Sequence, residues 1–64
     1  MIPRDAVQAM KKLAAAELTF AADYEAMAEQ FPLRRERYLN SAKRCRDYAK
    51  YYQDWADSAS EISA

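Results

Sequence analysis

The sequence predicts an all-α protein: an antiparallel helical hairpin with an alanine-rich heptad seam, self-associating into a four-helix bundle. Three observations predict it. Small residues return at every seventh position in two segments, Val7, Ala14, Ala21 and Ala28 in the first and Ala42, Ala49 and Ala56 in the second. Pro32 stands midway between the two sets. Charge runs from basic to acidic along both segments, an order that antiparallel pairing favours, within one chain or between two. A strict seven-residue repeat returns to one helix face every two turns. Folding the chain at Phe31–Pro32 sets Ala21 against Ala42, Ala14 against Ala49 and Val7 against Ala56.

The first helix is expected from about residue 3 to 30. Pro3 suits a first helical turn, where its missing N–H costs nothing. The segment that follows is rich in Ala, Glu, Lys, Met and Leu, all good helix formers. The turn is expected at 31–32, because proline pushes the preceding Phe31 out of the α region; the alternative is one long helix kinked at Pro32. The second helix is expected from about 33 to 58, followed by a frayed tail rich in serine and alanine. One turn also suits a chain of 64 residues with no glycine. Residues 1–64 then make a single helical-hairpin domain.

The charge order opposes the helix macrodipole, which favours acids at the N-terminus and bases at the C-terminus. The first helix opens with Arg4, Lys11 and Lys12 and closes with Glu17, Asp23, Glu25 and Glu29. The second opens with Arg34, Arg35, Arg37, Lys43, Arg44, Arg46 and Lys50 and closes with Asp54, Asp57 and Glu61. An antiparallel pair places each acidic end beside a basic one. The expected neighbours are Glu29 with Arg34, Glu17 with Arg46, and Arg4 with Asp57. Lys43–Asp47 and Lys50–Asp54 have the i,i+4 spacing of ordinary helix-surface pairs.

Each helix carries a second stripe beside its seam. In the first it comprises Met10, Leu13, Phe20, Tyr24, Met27 and Phe31, interrupted by Glu17. In the second it comprises Tyr38, Cys45, Tyr52 and Ala59, flanked by Tyr48, Trp55 and Ile62. A lone hairpin has one contact line, so these stripes are expected to meet a second chain, with Met10, Leu13, Phe20, Tyr24, Met27, Phe31 and Tyr52 as the oligomer interface. Short chains bury little core alone. A single cysteine provides no intramolecular disulfide. A homodimer is therefore expected. Glu17 within an apolar stripe reads as an edge residue held by Arg44 or Arg46, or as a polar residue fixing register.

The plan resembles two groups: the dimeric helical-hairpin repressor-of-primer proteins of plasmids, and the short helical-hairpin proteins of the early accessory regions of lambda-like phages. The resemblance spans the chain as length, two helices, one turn and small-residue seams. It implies a small regulatory or host-interacting protein and transfers no site residue.

The chemistry of the side chains points away from catalysis. There is no histidine to serve as a general base and no glycine-rich loop to cradle phosphate. Cys45 has no histidine partner and belongs to an apolar stripe, so it reads as a packed thiol. The carboxylate pairs Glu25–Glu29, Asp54–Asp57 and Asp57–Glu61 lack the Glu-x-x-His partners of di-metal bundles. No cofactor or metal is expected. Ten basic and ten acidic residues cancel, which removes any global field for nucleic acid or membrane. The opening residues carry no signal-like apolar run, and a reduced, cytoplasmic setting fits the lone thiol.

What remains is a basic, aromatic surface on the second helix, with Arg37, Arg44, Tyr48, Tyr51 and Trp55 as the contact residues. Arginine and aromatic side chains anchor protein interfaces. They also suit phosphate binding with base stacking. The expected function is that of a non-enzymatic regulatory protein, a phage or mobile-element accessory that binds a host or regulatory protein through a helix face. The alternative is an oligomeric bundle binding a nucleotide or RNA through the same surface.

Overall fold

The computed structural model describes residues 4–63. Two helices, α1 (Arg4–Gln30) and α2 (Arg35–Ser63), pack against each other as a hairpin. Its backbone measures 48 × 14 × 10 Å. Pro3 lies outside the described residues, as does the side chain of Ile62. The helix α2 continues to Ser63, so the stretch expected to fray from Ser58 is helical. Its continuation buries Ala59 at 2% exposure, which gives the last turns a packing partner.

The turn follows from proline chemistry. Phe31 adopts φ −125° and ψ 79°, outside the helical region, which the following proline disfavours. Its N–H still donates to the Met27 carbonyl at 2.9 Å, closing the last turn of α1. Its carbonyl accepts from the Arg34 N–H at 2.9 Å. Pro32–Arg34 thus forms a single 3₁₀ turn, and the Arg35 N–H donates to the Pro32 carbonyl at the entrance to α2. The α-helix therefore starts at Arg35, two residues later than the sequence suggests, because the tighter 3₁₀ turn intervenes. No described residue has a positive φ. The chain reverses without a left-handed position, which is why it manages without glycine.

The core is the alanine seam. Val7, Ala14, Ala21, Ala28, Ala42, Ala49 and Ala56 are all buried, with Ala21 and Ala56 at 0% exposure. Ala59 joins them. No large side chain is fully buried among the described residues. Small residues bring the two backbones close, so larger side chains are squeezed out to either side. At the open end, Val7, Ala56 and Ala59 form one cluster, with Met10 and Trp55 packed on it. At the turn end, the Tyr24 and Tyr38 rings stack with centroids 6.3 Å apart, and Phe31 leans on Tyr38 at the same separation.

These contacts decide where the two apolar stripes go. Met10 and Trp55 pack on the same cluster at one end, Glu17 lies against Cys45 in the middle, and Tyr24 stacks on Tyr38 near the turn. Both stripes therefore lie on the same side of the seam and merge into one face. The other side is charged: Lys11, Leu18, Arg46, Lys50 and Gln53 border a shallow hollow there over Ala14 and Ala49.

Candidate interaction surface

The merged face is built from α1 positions Met10, Leu13, Phe20, Tyr24, Met27 and Phe31 and from α2 positions Tyr38, Tyr48, Tyr52 and Trp55. Leu13, Phe20 and Phe31 are about half exposed, at 47%, 52% and 52%. Met10, Tyr24, Met27 and Tyr52 are half-buried. None of the side chains expected at an oligomer interface is fully covered by the hairpin itself. The aromatic rings are organised rather than scattered. Tyr48 stacks on Tyr52 at 6.3 Å, and Tyr51 meets Tyr52 edge-on at 5.7 Å. Such offset and edge-to-face contacts suit the ring quadrupoles.

Glu17 sits in the middle of this face and does not pair with Arg46. Arg46 points to the charged side, where Nη2 donates to Glu25 Oε1 at 2.5 Å. The seam stands between Glu17 and Arg46, so the two cannot meet. Glu17 instead lies against Cys45. Burial pushes the Cys45 thiol above its ordinary value, and the Glu17 carboxylate pushes it the same way by accepting its hydrogen bond and by its charge; Arg44 opposes them weakly. A thiol held protonated beside a carboxylate is a poor nucleophile. The Glu29–Arg34, Arg4–Asp57, Lys43–Asp47 and Lys50–Asp54 pairs expected from spacing are not formed among the described residues, whose single ion pair is Arg46–Glu25. Asp57 instead accepts from Gln53 Nε2 at 2.9 Å along α2.

The basic, aromatic surface of α2 divides in two. Leu33, Arg34, Arg37, Ser41 and Arg44 border an open, polar hollow of about 710 Å³ together with Glu36 and Asn40. Arg44, Asp47, Tyr48 and Tyr51 border a second, more apolar one of about 410 Å³. Arg44 is shared by both, so the arginines and tyrosines form one continuous strip. Tyr51 is 62% exposed and Leu33 wholly so. Trp55 departs from this strip: it is drawn onto the Val7–Ala56–Ala59 cluster. Residues 37, 44, 48 and 55 share a helix face in the sequence, yet the α1 N-terminal half covers only the last of them. Leu33 was not singled out by its sequence pattern, because it belongs to the turn and to neither stripe.

No group of three or more Cys, Asp or Glu side chains among the described residues is placed to hold a metal ion. No helix among them is long and apolar enough to cross a membrane. Comparison with protein-family models, curated proteins and solved structures finds no match.

Proposed function

We propose that this protein is a non-enzymatic interaction protein whose working unit is a dimer of hairpins, a four-helix bundle closed by the merged apolar face. In this reading it presents Arg37, Arg44 and Tyr51, the part of the strip outside the merged face, to a host or regulatory protein and acts by occluding a surface, not by chemistry. The carrying observation is that the described large apolar side chains of both stripes lie on one side of the hairpin and none is fully buried, while alanine and one valine make the core. A compact monomer of this mass exposes about 4,200 Å². This chain exposes 5167 Å². The excess, about 1,000 Å², matches the roughly 800 Å² per partner that a stable complex buries.

Sedimentation equilibrium between 1 and 100 µM tests the bundle. A dimer is expected, and Leu13→Asp is expected to shift it to monomer. A wild-type chain that stays monomeric at 100 µM while remaining helical removes the reading. Partner binding is tested by cross-linking in cell extract with wild type and with Tyr51→Ala, a strip residue that is 62% exposed and outside the merged face. A partner held by the strip is lost in the variant while the dimer persists.

The shared position of Arg44 favours one second reading, a nucleotide or RNA ligand with phosphates on the arginines and a base on Tyr48 or Tyr51. Glu36 and Asp47 border the same hollows, and the chain is neutral overall, which weakens attraction for a polyanion. That reading predicts excess absorbance at 260 nm in the purified protein and a steep salt dependence of RNA binding.

A further inference from the structure

Resting on the four-helix reading above, we infer that the second copy docks with its turn at the same end, so that α1 of each hairpin lies over α2 of the other. Two face-to-face arrangements with twofold symmetry are open to a hairpin. In one, turns point to opposite ends and like helices cross over each other. In the other, turns lie together and unlike helices do. The overall charge order does not separate them, because both helices run from basic to acidic and each arrangement joins opposite signs.

Glu17 separates them. It is the middle residue of the 27-residue α1, and it lies on the apolar face against Cys45. With turns at opposite ends and the faces fully overlapped, the dyad passes through the centre of the hairpin. The two Glu17 carboxylates then confront each other on adjacent helices inside a closing interface. Like charges in that position oppose each other's ionisation and cost association free energy. With turns together, each Glu17 instead faces the copy's α2 at the level of Cys45, between Ser41 and Tyr48. A thiol and two hydroxyls are donors that suit a carboxylate.

The rim of the face agrees. Asp23 is exposed and is not engaged in an ion pair among the described residues. The Tyr24–Tyr38 and Glu17–Cys45 contacts fix its level along the hairpin between Arg37 and Arg44. With turns together, a residue keeps its level in the second copy, so Asp23 comes to lie between those two exposed arginines. The second copy is the occupant because its charges are known and complementary.

Leu33 makes the test direct. It is wholly exposed at the turn, so a spin label there disturbs no contact. Cys45→Ser leaves a hydroxyl beside Glu17 and removes the second labelling site. A nitroxide on Leu33→Cys/Cys45→Ser is measured by double electron–electron resonance at 100 µM, with sedimentation of the same sample. Turns together predict one label–label distance of about 25 Å or less, given interhelical spacings of 8–10 Å. A distance approaching the 48 Å long axis overturns the orientation and leaves the bundle standing. A monomer in the centrifuge with no dipolar modulation overturns the bundle reading itself.

Discussion

The two faces of this hairpin share one seam and differ in almost everything else. One carries leucine, methionine and aromatic side chains with a single carboxylate among them. The other carries Lys11, Glu25, Arg46, Lys50 and Gln53. Leu18 and Phe20 make the contrast sharp. They are two residues apart and equally exposed, at 48% and 52%. Leu18 borders the charged hollow, whereas Phe20 continues the Leu13–Met27 line of the apolar face. Exposure alone does not mark an interface, since scattered apolar residues are common on protein surfaces. Contiguity separates the two sides, and the Phe20 side has it.

The largest expected effect comes from placing one charge on each face. Phe20→Asp is expected to abolish self-association in sedimentation, and Leu18→Asp to leave it intact. Equal loss in both variants removes the distinction between the faces. Next in size is the seam that divides them. Ala21 is wholly buried, and Ala21→Leu forces the backbones apart, with overpacking costs of about 1–3 kcal/mol. For a chain this short that corresponds to a fall in Tm of at least about 4–8 °C, read by circular dichroism. An unchanged melt shows that close approach at the seam does not matter.

A smaller effect is expected from the thiol on the apolar face. Its folded value is raised, so as pH rises the unfolded chain loses this proton first. The stabilisation is complete below the ordinary thiol range, near pH 8.5, and declines above it. Tm measured from pH 7 to 10 is expected to fall more steeply for wild type than for Cys45→Ser. The pH midpoint of iodoacetamide alkylation is expected to move down in Glu17→Gln, because its carboxylate raises the thiol. The smallest effect is expected on the charged face. Arg46–Glu25 is half-exposed on both sides, and such pairs contribute about 0–1 kcal/mol. Arg46→Ala is expected to lower Tm by less than Ala21→Leu does, and by less again in 0.5 M salt.

Much of this molecule is written locally. The heptad spacing of Val7, Ala14, Ala21 and Ala28 and of Ala42, Ala49 and Ala56 names the buried seam, because 3.6 residues per turn fixes which positions share a helix face. Pro32 names the turn, because its ring restricts Phe31 whatever the rest of the chain does. The merging of the stripes has a signal in the sequence that appears only when the two helices are compared. In both helices the second stripe precedes the seam by four residues: Met10 before Ala14, Tyr24 before Ala28, Tyr38 before Ala42, Cys45 before Ala49 and Tyr52 before Ala56. Reversing a helix and turning it to face its partner brings equal offsets to the same side.

The candidate surface was less legible. Arg37, Arg44, Tyr48, Tyr51 and Trp55 share a face of α2, yet which of them are covered depends on what α1 places opposite. Trp55 packs on the Val7–Ala56–Ala59 cluster at the open end, whereas Tyr51 stays 62% exposed. Charge pairing was legible as an order and not as partners, since Glu17 and Arg46 fall on opposite sides of the seam. The sequence by itself determined the helices, the turn, the seam and the antiparallel pairing, because each depends on a dihedral restriction or a period along one chain. Tertiary structure decided that two stripes make one face and that Glu17 meets Cys45. It also decided that Trp55 turns inward. Those outcomes depend on the rotation of one helix about the other, which no period along a single helix records.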